Sequence, residues 1–76
     1  MHYVYILQCV DGFYVGCTDN LKERMKRHRS GHVQSTKHRQ PVMLKNYFAF
    51  DDKYKAFEFE KYLKSASGRA FTKKHF

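Results

Sequence analysis

Apolar residues gather at the start of the chain in two short runs with a turn signal between them. Tyr3-Val4-Tyr5-Ile6-Leu7-Gln8-Cys9 and Phe13-Tyr14-Val15-Gly16-Cys17 are rich in aromatic and branched residues, which favour pleated strands, and Asp11-Gly12 separates them. An Asp-Gly pair favours a two-residue primed turn, because the central positions need positive φ. That turn sets Val10 against Phe13, Cys9 against Tyr14 and Leu7 against Gly16. Side chains alternate faces with period two, so Tyr3, Tyr5, Leu7 and Cys9 share a face with Tyr14, Gly16 and Thr18. Tyr5 and Tyr14 therefore project on one side, and Gly16 leaves a hollow beside Leu7 where another group can approach. Two half-buried tyrosines with wet hydroxyls, serving only to pack, would satisfy the same pattern.

The period then lengthens. Leu21, Met25 and His28 fall at i, i+4 and i+7 and predict a helix over 21–29, while Lys22, Lys26, Arg27 and Arg29 spread over its other faces. Asn20 with Glu23 three residues on forms a capping signal, and Gly31 suits the left-handed terminus. Most of these cations read as a solvated face, whereas Arg24 borders the buried stripe and, with His28, turns toward the sheet. His32 to Gln40 is polar and basic, which predicts a mobile surface loop suited to phosphate contacts. Pro41 ends it. A third strand follows over 42–50, with Val42, Leu44, Phe48 and Phe50 expected on its more apolar face. A second helix runs from about Asp52 to Lys64, capped by Asp51 or Asp52, with Ala56, Phe59 and Leu63 as its stripe and Phe57 at one edge.

These elements predict one α+β domain over residues 1–76: a small three-stranded antiparallel sheet flanked by helices, presenting a concave basic face. A chain of 76 residues has room for a single small core. With 15 Lys and Arg against 7 Asp and Glu the net charge is +8, and the pI is about 9.7. Such a balance points to a polyanion, nucleic acid before an anionic membrane surface. No apolar run approaches the roughly 20 residues of a membrane span, and His2-Tyr3-Val4 lacks the order of a signal peptide, so a soluble, cytoplasmic protein is expected. Cys9 and Cys17 fall on opposite sheet faces, which argues against a disulfide between them, and neither carries chemistry in this reading. His28, His32 and His38 could suggest zinc, but His32 lies past Gly31, outside the helix, and no cysteine pair stands nearby, which argues against it.

Glu60 is the most informative single residue of the second helix. It lies at i+4 from Ala56 and i−3 from Leu63, inside the apolar stripe, whereas Glu58 points the other way. A carboxylate among buried positions is costly unless paired or bound to a cation. A salt bridge to Arg24 or a lysine and a metal site explain it equally well. The tail from Ser65 to Phe76 adds Arg69, Lys73, Lys74 and His75 around Phe71, which fits nucleic acid and also a plain docked terminus.

Tyr3-Val4-Tyr5, then Tyr14-Val15-Gly16, then Arg24 and His28 on the next helix, and Glu60 within Ala56-x-x-x-Glu60-x-x-Leu63-Lys64 together resemble the GIY-YIG nuclease domain. The likeness is to its small stand-alone bacterial members, similar to the N-terminal nuclease domain found in the bacterial excinuclease ABC, and it runs nearly the whole chain in order. Three positions depart from the pattern. Tyr3 stands at the first glycine, Cys17 follows Gly16 where several relatives carry lysine, and Ala70-Phe71-Thr72-Lys73 offers no clear counterpart to a downstream asparagine.

The resemblance implies a metal-dependent endonuclease that hydrolyses DNA phosphodiester bonds, in repair or recombination. Cleavage needs a base to activate water, cations around the phosphorus and a metal at the departing oxygen. By analogy Glu60 binds one divalent ion, Mg²⁺ or Mn²⁺, and a single carboxylate suits magnesium, which keeps several waters. Arg24 grips the scissile phosphate, Tyr14 activates or orients the water, and Tyr5 and His28 hydrogen-bond around them. A tyrosine base at neutral pH needs neighbouring positive charge. Lys22, Lys26, Arg27, Arg29, Lys37, Arg39, Arg69, Lys73 and Lys74 are the expected DNA contacts. The alternative is a nucleic-acid-binding module without turnover, or a docking component of a larger repair complex; protein partners are not legible.

Overall fold

The computed structural model describes residues 1–75, and the side chains of all of these except residues 66, 67 and 71. Phe71, expected among the tail cations, thus lies outside the described side chains. In chain order the elements are β1 (His2–Cys9), β2 (Gly12–Thr18), α1 (Leu21–Arg29), β3 (Met43–Phe50), α2 (Lys53–Lys64) and α3 (Ala66–His75). The sheet is antiparallel with order β2-β1-β3, and helices pack on it, so the fold is α+β with three strands, as the patterning predicts.

The central strand organises two cores. Val4, Tyr5, Ile6 and Leu7 are all fully buried, which explains why β1 reads as a nearly continuous apolar run rather than an alternation. On one face Val4 and Ile6 meet Ala56 and Leu63 of α2, with Phe13, Val15, Cys17 and Phe59 around them. On the other face Tyr5, Leu7 and Cys9 meet Met25 of α1, with Tyr14, Leu21, Val42 and Leu44. Complete burial of Ile6, Leu7 and Leu63 stabilises the fold by roughly 1.5–3 kcal/mol each. The two free cysteines sit in different cores.

Two details of register differ from the expected ones. Cys9 pairs with Gly12, Leu7 with Tyr14 and Tyr5 with Gly16, so the turn is Val10-Asp11 and the register has moved by two residues. Neither Val10 nor Asp11 takes positive φ; Gly12, at φ +138°, does so as the first residue of β2. Tertiary contacts secure this tip: Val10 N–H donates to Arg39 O at 3.2 Å, and the Asp11 carboxylate lies 2.6 Å from Arg39 Nε. A shift of two preserves parity, so Tyr5 and Tyr14 stay on one face. In β3 the expectation that Val42, Leu44, Phe48 and Phe50 share a face fails. Ile6 pairs with Asn46 but Leu7 with Leu44, and the extra residue Lys45 forms a bulge. Val42 and Leu44 therefore join the α1 core, while Phe48 and Phe50 join the α2 core.

The helices begin and end where their caps dictate. Asn20 Oδ1 accepts from Glu23 N–H at 3.2 Å, and Gly31, at φ +76°, lets the Gly31 and His32 amides bond back to His28 O and Arg27 O. Asp52 Oδ1 accepts from Tyr54 N–H at 2.8 Å. Phe59 packs edge-on against Phe48, with ring centroids 4.8 Å apart, and fixes α2 on the sheet. The tail forms a third helix. Ser65 Oγ accepts from Gly68 N–H at 3.2 Å, and Gly68 lies so near the backbone of Tyr62 and Leu63 that a Cβ there would clash. Among the described residues no helix is long and apolar enough to cross a membrane.

Candidate active site

Tyr5 is the centre of the site because the central strand buries it and the neighbouring strand makes room for it. Its ring lies directly over Gly16; a Cβ at that position would stand 2.9 Å from Cε1 and collide with Cζ and Oη. The hollow expected beside Leu7 lies instead beside Tyr5, the cross-strand partner of Gly16, and the Tyr5 ring fills it. Tyr14, two residues earlier on β2, faces the same side with its ring 6.4 Å from that of Tyr5. His28, fully buried on the inner face of α1, completes the cluster, 5.5 Å from the Tyr5 ring and 5.4 Å from the Tyr14 ring, edge-on to both.

Hydrogen bonds fix the cluster. Tyr5 Oη and His28 Nε2 are 2.8 Å apart, and His28 Nδ1 is 2.7 Å from Thr36 Oγ1. The charge of Arg24, one helical turn before His28, acts on the Tyr5 hydroxyl. Burial, reinforced by Tyr14, raises the Tyr5 pKa to about 12, against opposition from Arg24. Burial together with the Arg24 and Arg27 charges lowers His28 to about 4. At neutral pH Tyr5 is thus a neutral phenol and His28 a neutral imidazole.

Glu60 approaches from the other side of the sheet, since α2 and α1 pack on opposite faces. Its carboxylate nevertheless acts on Tyr5, raising the phenol pKa, and on Cys17, where burial is the larger cause and Arg24 and Lys64 act in the opposite sense. The charges of Arg24 and Glu60 therefore meet at Tyr5 of β1 and Cys17 of β2. Glu60 Oε2 lies 3.2 Å from Lys64 Nζ, an i,i+4 pair, and its side chain keeps 22% of its surface exposed. No group of three or more His, Cys, Asp and Glu converges among the described residues. A lone accessible carboxylate fits a magnesium-type ion that retains its waters, and does not fit an all-protein cage.

The predicted DNA-contacting cations divide into four groups. Lys22, Lys26 and Arg29 line a groove of about 630 Å³ between α1 and β3, beside Tyr3 and Tyr47. Arg69 and Lys73 line a second, of about 770 Å³, between β2 and α3, together with Tyr14 and Lys64. Arg27, Lys37 and Lys74 are exposed outside both. Arg39 is instead engaged within the protein, with Asp11 and with Phe13 O. The loop expected to be mobile is fastened at several points: through Arg39, through Gln40 to His28 O, and through the fully buried Thr36. Thr36 and Gln40 escaped the sequence reading because a threonine and a glutamine in a polar run carry no periodic signal that separates a buried partner from a solvated one.

The family described as GIY-YIG catalytic domain matches residues 1–74. UPF0213 protein BH0048 of Halalkalibacterium halodurans is 41% identical over 70 residues, spanning 90% of this chain and 74% of that protein. UPF0213 protein VNG_2274C of Halobacterium salinarum is 36% identical over 69 residues, spanning 88% of this chain and 90% of the relative. The solution NMR structure of UPF0213 protein BH0048 from Bacillus halodurans aligns over 95% of this chain and 79% of its own, with a TM-score of 0.60 at 39% identity. With the match running from the first strand into the last helix, and relatives identical to it at more than a third of the aligned positions, the chain belongs to the GIY-YIG catalytic domain family.

Proposed function

We propose that this protein is a divalent-metal-dependent endonuclease that hydrolyses DNA phosphodiester bonds, serving repair or recombination. GIY-YIG is a nuclease domain family. The observation that carries the reading is the meeting of Tyr5, Tyr14 and His28 in one cluster on which the charges of Arg24 and Glu60 also act. Residues so far apart in sequence need not meet to close a core.

Each side chain then takes a role that its state permits. Arg24 offers a rigid fork of donors to the scissile phosphate and to the negative charge that grows on it. Tyr5, neutral well above physiological pH, does not serve as the base; it orients. His28, neutral, receives or shares a proton with Tyr5 and holds the phenol in place. Tyr14, half-buried and among the residues that line the β2–α3 groove, activates or orients the attacking water. Glu60 would hold Mg²⁺ or Mn²⁺, with Lys64 giving way; the ion supplies positive charge for the departing oxygen. The exposed cations of α1 and α3 bind the flanking phosphates.

A module that binds nucleic acid without cutting it is the competing reading, motivated by the Lys64 contact on Glu60 and by Cys17 in the place of a lysine. Incubation with single-stranded, duplex and branched DNA in Mg²⁺, in Mn²⁺ and in EDTA decides between them. Products that form only with metal and vanish in Arg24→Ala support the nuclease. DNA that is bound but left intact under all conditions overturns it.

A further inference from the structure

Thr36 is fully buried, and its hydroxyl faces the Nδ1 of His28 at 2.7 Å. Its backbone is held by tight turns, with Thr36 N–H on Val33 O at 3.0 Å and Arg39 N–H on Thr36 O at 2.9 Å. The far end of the same loop is clamped to the hairpin tip through Arg39 and Asp11. The hydroxyl is therefore delivered to the imidazole by a braced segment.

The polarity of the chain Tyr5–His28–Thr36 follows from what each group can do. The Arg24 charge acts on the Tyr5 oxygen and draws its lone pairs rather than its proton. The phenol proton then points to its hydrogen-bonded neighbour, His28 Nε2. A neutral imidazole carries one N–H, so with Nε2 accepting the hydrogen is on Nδ1, and Thr36 Oγ1 must accept it. The opposite tautomer would make Tyr5 accept from His28 and leave its own proton without that acceptor.

We infer that Thr36 is a positioning residue for the proposed reaction: by accepting from Nδ1–H it holds His28 in the tautomer whose Nε2 takes the Tyr5 proton, and so pins the phenol oxygen against His28. The inference rests on the nuclease reading for its catalytic consequence but not for its chemistry. A valine at this position is nearly isosteric and accepts nothing, so the hydrogen moves to Nε2 and Tyr5 loses its acceptor. A serine keeps the acceptor.

The test is ¹⁵N NMR of the His28 ring nitrogens in the metal-free protein at neutral pH, for the parent, Thr36→Ser and Thr36→Val, with cleavage kinetics on the same samples. The expected spectra show Nδ1–H in the parent and in Thr36→Ser, and Nε2–H in Thr36→Val. The expected kinetics are a kcat at least ~10-fold lower in Thr36→Val at a KM within about threefold, restored in Thr36→Ser. A parent already in the Nε2–H form, or a Thr36→Val protein that keeps the parent's tautomer or switches with no change in kcat, overturns the inference. Cleavage absent from all three proteins, with the tautomer switch intact, removes the nuclease reading and leaves the positioning of His28 by Thr36 standing.

Discussion

Gly16→Ala is the sharpest test of how the site is built. The substitution looks mild, since alanine in a strand is favoured over glycine by roughly 0.5–1 kcal/mol through chain entropy. In this protein the new methyl would collide with the Tyr5 ring, with Cε1 at 2.9 Å and Cζ and Oη nearer. Tyr5 has nowhere to go: it is fully buried and hydrogen-bonded to His28. Overpacking costs about 1–3 kcal/mol. Shifting Tyr5 far enough to relieve it breaks a buried hydrogen bond, at about 1–3 kcal/mol more. The net loss is about 1–5 kcal/mol, a large part of what a domain of this size has to lose. At about 4–8 °C per kcal/mol the melting temperature should fall by at least ~4 °C. Thermal and urea unfolding of the parent, Gly16→Ala, Tyr5→Ala and the double variant measure it. With Tyr5 truncated the methyl loses its three nearest neighbours, all of them atoms of the Tyr5 side chain, so Gly16→Ala should cost less than about 0.5 kcal/mol in that background. A melting temperature unchanged by Gly16→Ala, or a cost that persists without Tyr5, would refute the packing argument.

Three further outcomes are expected. Glu60→Gln should abolish metal-dependent cleavage and metal binding, while Glu58→Gln does neither; because the Glu60–Lys64 pair contributes no more than about 0.5 kcal/mol, unfolding curves should barely move, and a large destabilisation would instead make Glu60 a structural ion-pair partner. His28 has a folded pKa of about 4 against 6.5 unfolded, so the unfolded chain takes its proton first: this contribution is complete above pH 6.5 and is lost as pH falls toward 4, by up to about 3 kcal/mol. Urea unfolding at about pH 7 and about pH 4.5 should therefore show a larger loss for the parent than for His28→Gln, and equal losses would contradict the burial of a neutral imidazole. DNA affinity should fall steeply as salt rises, given +8 net charge with exposed cations on α1 and α3, and a flat salt dependence in binding titrations would remove the nucleic-acid reading.

Local rules were sufficient for a good part of this molecule. The branched and aromatic runs of β1 and β2, the Asn20 and Asp52 caps, the left-handed Gly31 and the stripes at Met25 and Leu63 each encode their element within a few residues, because capping, φ preference and periodicity are short-range effects. The face shared by Tyr5 and Tyr14 was legible as well, since parity survives an even shift of register. Contacts between distant segments decided the rest. The hairpin turn moved to Val10-Asp11, where Arg39, far along the chain from Asp11, holds the tip. The Lys45 bulge divided the β3 apolar residues between two cores, because Leu44 meets Leu7 while Phe48 meets Val4. The loop expected to move became the bracket that carries Thr36 to His28, as a hydroxyl in a polar run takes its meaning only from what the fold sets beside it. Above all, the chain order of Tyr5, Arg24 and Glu60 could not tell that two helices on opposite faces of a sheet would bring opposite charges to bear on one buried phenol, because that depends on how the helices dock across the sheet and on no spacing along the chain.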